Sequence, residues 1–288
     1  MTQRAVGLWM TLAAAVLFAV SAVVAADVFD AVPPARVAQF RSLAAALVLG
    51  FVAFRRRAVS PRGQIGWLLL LGANLAAVTV TFYWAIERLG VGPGTTIQFT
   101  APVLVMTWMR LVERRSIPPV AWLAGVAAVA GTGLMTRAWQ ADLDGVGVAA
   151  GVAAAVTFAS YLILGERLGA RLPSLTVISF GFAVSAVIWL VAVPFEVADL
   201  AGGEWSRLLF IGVVGTAAPF LLEVSALRRA DPGSVGVVAT VEPVVGAAVA
   251  WLALSQVLTP VQVVGGAITA VAVAAIHLFT SYRSTWPG

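Results

Sequence analysis

AAAVLFA at residues 13–19 returns as AAAVTFA at 153–159, an offset of 140 residues in a chain of 288. The repeat holds further along at about the same offset: Leu68-Leu69 and Gly72 recur as Leu208-Leu209 and Gly212, and Pro102 as Pro243 and Pro119 as Pro260 one residue further on. Each copy sits in an apolar run, and a chance alignment rarely keeps register over so many runs. The chain therefore reads as two related halves, 1–144 and 145–288.

Those runs have membrane composition. Hydrophobic residues make up 61% and charged residues 11%, with a mean hydropathy of +0.98; soluble domains carry roughly 25% charged residues. A spanning helix needs roughly 20 apolar residues, and ten candidates stand at about 5–26, 35–54, 65–86, 94–110, 119–137, 145–165, 173–195, 206–227, 234–254 and 260–281. Five fall in each half. Because five is odd, the second half enters the membrane from the opposite side, the arrangement many secondary transporters use. The expected fold is an all-α membrane protein with ten transmembrane helices in two inverted five-helix repeats. The first run resembles a secretory signal, but its recurrence at 153–159, where no cleaved signal can lie, marks it as a retained helix.

All 18 basic residues are arginine, and the pI of about 10.9 would suit nucleic acid if they shared one face. They sit instead in short clusters between apolar runs. With the N-terminus inside, thirteen fall on the inner side (Arg4, Arg55, Arg56, Arg57, Arg62, Arg110, Arg114, Arg115, Arg167, Arg171, Arg228, Arg229 and Arg283) and Arg36, Arg88, Arg137 and Arg207 outside. Cytoplasmic loops collect arginine, so both termini are expected in the cytoplasm, with the chain in a bacterial inner membrane. Trp67 and Trp122 near inner ends and Trp139 and Trp205 outside read as interfacial anchors. The absence of cysteine and the single histidine exclude a disulfide framework, an iron–sulfur site, a cysteine nucleophile and a multi-histidine metal site. No phosphate-loop spacing, nucleophile elbow or paired metal ligands are present, which points away from an enzyme and from any cofactor.

Two carboxylates lie inside predicted spans, Glu223 and Glu242. A carboxylate at mid-bilayer costs ~3 kcal/mol or more and normally faces a cavity or a partner. Glu223 precedes Arg228 by five residues, roughly 8 Å of helix, and could pair with a neighbouring arginine; Glu242 lies deeper in its span. In ATVEPVVGAAVAW, residues 239–251, Glu242 stands beside Pro243, which cannot donate to the carbonyl of Ala239. Pro102 does the same to Gln98 in the matching span. Freed carbonyls are tolerated where they face protein or water, so both prolines are expected at kinks that line a cavity and serve as hinges. Asn74, Tyr83 and Gln98 are the polar candidates on the first-half side, either lining that cavity or making ordinary interhelical bonds. Arg41, about six residues into its span, could bind a substrate carboxylate or snorkel. His277, near the inner end of the last span, could relay protons or simply pack, and is left out of the site.

FYWAIERLGVGPGTTIQFTAPVLV at 82–105 and ALRRADPGSVGVVATVEPVVGAAVAWLALSQVLTP at 226–260 resemble the EamA-type branch of the drug/metabolite transporter superfamily. APFLLEVSALRR at 218–229, followed by VEPVVGAA, is similar to the threonine/homoserine exporter subgroup, and by that motif Pro219, Phe220, Leu222, Glu223, Glu242 and Pro243 carry over. Gln98 stands where that subgroup usually has a glutamate, and Ser255-Gln256 replaces its Gly-Glu. The resemblance implies a helical bundle with a central cavity for a small-molecule substrate, moved by alternating access, with amino-acid export as the expected activity and protons as a candidate coupling partner. An exporter of lipophilic drugs, an importer, and a non-transporting membrane scaffold are the other readings.

Overall fold

The computed structural model describes the whole chain except residues 1, 30, 59, 62, 141–143, 195–201, 255–257 and 284–288. Arg62, Ser255 and Gln256 therefore lie outside the described residues. The described residues form helices and no strand: α1 Gln3–Phe29, α2 Pro34–Arg55, α3 Ile65–Leu89, α4 Val91–Gln98, α5 Ala101–Leu111, α6 Pro119–Met135, α7 Gly145–Gly169, α8 Ser174–Ala192, α9 Gly202–Gly212, α10 Ala218–Leu227, α11 Pro232–Ala239, α12 Glu242–Leu254 and α13 Pro260–Arg283. A π-helical turn, Val213–Ala217, joins α9 to α10 without a gap.

Eight helical stretches are long and apolar enough to cross a membrane, and α6 is a shorter apolar helix. The stretch 91–111 is divided into α4 and α5, of 8 and 11 residues, each too short to span alone. Large apolar side chains such as Leu47, Phe51, Leu123 and Leu252 stand exposed around the bundle. Outward faces of this kind belong against lipid, and with so many apolar helices they make this a multi-pass membrane protein. Trp67 and Trp139 are exposed as interfacial anchors would be, whereas Trp122 packs on the core and Trp205 meets the ring of Phe40 edge-on at 5.2 Å.

Packing partners come in matching sets. α1 lies against α10, α11 and α12, and α7 against α3, α4 and α5. α2 packs on α8 and α9, α3 also on α8, α5 on α11, and α6 on α13. The α6–α13 contact is close because small residues face one another: a Cβ on Gly265 would stand 2.6 Å from the Gly131 carbonyl.

Charges collect at the ends. Arg4 pairs with Asp231 at 2.6 Å and donates to Ser234 at 2.9 Å. Nearby, Arg115 bridges Glu166 at 2.7 Å and Glu113 at 2.9 Å, and Arg167 reaches Glu113 at 3.1 Å. Arg171 joins this end through Gln64, at the start of α3. Arg88, at the far end of α3, pairs with Asp144 at 3.1 Å. Asp144 caps α7 by accepting from the Gly147 amide at 3.0 Å, and that bond, aided by Arg88, holds its carboxyl below the usual carboxylate range.

Candidate functional site

Two spans are broken just before a proline. α4 gives way to α5 at Phe99-Thr100 and α11 to α12 at Thr240-Val241, and in both the last turn tightens, with Thr100 N–H donating to Ile97 O and Val241 N–H to Val238 O, each at 3.1 Å. Pro102 and Pro243 are the second residues of the helices that follow, where a missing N–H costs little. The broken spans cross: a Cβ on Gly236 of α11 would stand 3.2 Å from ring carbons of Pro102. Gln98, the last residue of α4, is buried. Glu242 is the first residue of α12, where the helix dipole favours a carboxylate.

Glu223 on α10 is 2% exposed, and its Oε2 has no hydrogen-bond partner among the described residues. The buried hydroxyl of Tyr161, on α7, faces this carboxylate without reaching hydrogen-bond geometry. The neighbouring arginines turn away: Arg228 donates to Leu172 O at 2.5 Å and Arg229 to Ser225 O at 2.6 Å. Glu242 is half-buried and within electrostatic reach of both Glu223 and Arg41. Two carboxylates and one guanidinium thus converge from α10, α12 and α2.

Arg41 is placed by the π turn. Pro219 has no N–H for the Gly215 carbonyl, and the helix widens just ahead of it so that Ala218 N–H bonds Val213 O. Thr216, fully buried in that turn, accepts from Arg41 Nε at 3.0 Å and donates to Ile211 O at 2.8 Å. Beside the charges lies an aromatic wall: the Phe220 ring stands 5.0 Å from Phe18, 5.1 Å from Phe182 and 5.4 Å from Tyr161. Phe99, at the first break, continues it through Phe158 at 6.1 Å. Charged groups against an apolar wall suit a small ligand with both charge and a carbon skeleton.

Other sequence candidates fall elsewhere. Asn74 Nδ2 donates to Thr157 O at 2.9 Å, a bond between α3 and α7. Tyr83 packs against Ala38, Ala76 and Trp189 and meets the rings of Phe29 and Phe82 at 6.0 and 6.4 Å. His277 meets the Trp9 ring edge-on at 5.0 Å. A shallow depression lined by Leu89, Pro93, Thr136, Arg137 and Gln140 holds no carboxylate. Among the described residues no group of three or more His, Asp or Glu could hold a metal. The residues that sequence reasoning passed over are Thr216 and Tyr161; the Thr-Ala-Ala-Pro run at 216–219 was the available signal for the first, and nothing marked the second.

Residues 5–137 and again 145–278 match the profile of the EamA-like transporter family. The chain belongs to that family. Among EamA relatives, the threonine/homoserine exporter RhtA of Escherichia coli strain K12 is 30% identical over 213 residues, 70% of this chain and 68% of that protein. PecM of Dickeya dadantii strain 3937 is 24% identical, over 78% of this chain and 77% of its own. Human solute carrier family 35 member G1 is 26% identical, over 83% and 69%. A crystal structure 19% identical in sequence superposes with a TM-score of 0.81 over 97% of this chain and 99% of the other, which establishes the shared fold.

Proposed function

We propose that this EamA protein is a secondary transporter of a bacterial inner membrane that exports amino acids or related small metabolites by alternating access, coupled to protons through Glu242. The observation that carries the reading is the convergence of Glu223, Glu242 and Arg41 beside the break between α11 and α12. Membrane-embedded charges of this kind mark substrate and proton pathways. Gln98 lies at the matching break on the first-half side. Asn74 and Tyr83, on α3, make interhelical contacts outside that convergence.

On this reading the architecture is an inverted pair of five-helix repeats, 1–144 and 145–288, and the packing supports it. Counting α4–α5, α9–α10 and α11–α12 as one crossing each gives ten, and exchanging the halves maps the packing of α1 on α10, α11 and α12 onto that of α7 on α3, α4 and α5. The ion pairs follow the same exchange. Arg4 at the start of α1 holds Asp231 ahead of α11, and Asp144 at the start of α7 holds Arg88 ahead of α4. Arg4–Asp231 ties the halves directly at one end, and Arg88 ties the first half to α7 at the other through Asp144, which caps that helix, so rocking of the halves parts one link while the other stays closed.

The gathering of Arg4, Arg115, Arg167 and Arg171 at one end supports termini in the cytoplasm. A reporter active only in the periplasm should stay silent when fused to the C-terminus; an active fusion reverses the orientation. The test of function is counterflow in proteoliposomes with threonine, homoserine, other amino acids, nucleosides and cationic dyes, with and without a pH gradient. Amino-acid counterflow is expected. Flux of dyes alone would favour a drug exporter, and no flux across the panel would favour a scaffold. Pro102→Ala and Pro243→Ala are each expected to slow transport on the order of tenfold while lowering inserted protein far less, because hinges absorb the motion. Parental rates in both would make the breaks packing features.

A further inference from the structure

An arginine within a span usually snorkels to the interface or pairs with a carboxylate, and Arg41, which is partly buried, has no such carboxylate partner among the described residues. Its Nε is held inside the bundle by the buried Thr216. No carboxylate of the described residues comes within ion-pair distance of it, and its two Nη groups make no hydrogen bond to the described residues. Thr216 is itself fixed by its bond to Ile211 O, so the guanidinium plane is oriented from one edge. The edge left over, Nη1 with Nη2, is the fork that matches a carboxylate in bidentate geometry. Glu242 lies near enough to feel the guanidinium but does not pair with it, and Glu223 is close to Glu242. The site therefore presents one fixed cation and two carboxylates, separated by a gap too wide for direct pairing.

We propose that Arg41 is the carboxylate receptor of the transport site, so that the site takes zwitterions, with the ligand's carboxylate on Arg41 and its ammonium on Glu242. This rests on the transporter reading above and adds the charge pattern of the substrate. A zwitterion meets each protein charge with its opposite. An amine or amide of the same skeleton leaves the guanidinium unpaired, and a site built to bond a polar group rejects analogues that lack it. Thr216 is the positioning residue for Arg41, and the Phe220 wall receives the apolar remainder.

Binding can be read apart from transport, by tryptophan fluorescence or thermal shift of the detergent-purified full chain titrated with L-threonine, L-threoninamide and 1-amino-2-propanol, the decarboxylated amine. The parental protein should bind L-threonine at least about 30-fold more tightly than either analogue. Arg41→Gln should bring L-threonine down to the level of the amide while the amide's affinity stays within about threefold. Arg41→Lys should recover part of the preference, since it keeps the charge and loses the fork. Thr216→Val should reduce the preference without removing it. An Arg41→Gln protein that still prefers L-threonine to its amide overturns the proposal, as does a parental protein that fails to discriminate or to bind L-threonine. Counterflow of amino acids without this discrimination removes the role of Arg41 alone; discrimination without counterflow keeps that role and removes the transporter reading.

Discussion

Glu242→Gln is expected to abolish transport driven by a pH gradient while leaving slow exchange of substrate between equal concentrations across the membrane. Glutamine keeps the size of the side chain and its place at the first turn of α12, so the break and the crossing of α11 on α5 should persist. What it removes is the charge and the exchangeable proton. Glu223 and Glu242 lie within electrostatic reach of each other, and two nearby carboxylates resist simultaneous ionisation. On the proposed transport reading, an arriving ammonium displaces a proton from the pair and proton uptake returns the empty carrier, which links the two flows. With glutamine at 242 the remaining carboxylate still balances an ammonium, so exchange survives at reduced rate, but the step that swaps proton for substrate is gone. Glu223→Gln should shift the pH dependence of transport with less loss, because Glu223 is buried beside Tyr161 and acts on its neighbour's charge. Full gradient-driven transport by Glu242→Gln would make this carboxylate structural.

How much of this was legible beforehand depends on the range over which each signal acts. The breaks in α4–α5 and α11–α12 were readable because proline acts within one helical turn, and both chain breaks fall two to three residues ahead of Pro102 and Pro243. Helix ends follow the same logic: α2, α6 and α13 begin at Pro34, Pro119 and Pro260. The π turn ahead of Pro219 obeys the same rule, yet the expected span 206–227 was read as one regular helix, since a proline signals a distortion without saying whether the chain breaks or widens. That Glu223 and Glu242 could share a cavity follows from their depths in adjacent spans, but the approach of Arg41 and its bond to Thr216 has no sequence signal, because it joins α2 to the π turn across a long sequence separation. Asn74 left two readings open. Its polarity inside a span fits either a cavity or an interhelical bond, and its amide donates to the Thr157 carbonyl.

The second large effect is steric and sits at that same π turn. Gly215→Ala is expected to destabilise the folded protein by about 1–3 kcal/mol or more, the range for overpacking a core. α1 packs against the Val213–Ala217 turn so closely that a Cβ on Gly215 would overlap the Cβ and Oγ of Ser21. Ser21 is buried and its side chain too short to swing clear, so α1 itself has to move. The displaced turn carries Thr216, so Arg41 loses its fixed edge along with the packing. Both losses have one cause, which gives a sharp check. Ser21→Gly alone should cost about 1 kcal/mol as a glycine in a helix interior, yet combined with Gly215→Ala it should raise the melting temperature in detergent above that of Gly215→Ala alone. It should also return the preference for L-threonine over its amide. A Gly215→Ala protein that melts like the parent, or a double variant no better than Gly215→Ala, would show that α1 and the π turn do not touch through these residues and that Thr216 is held by something else.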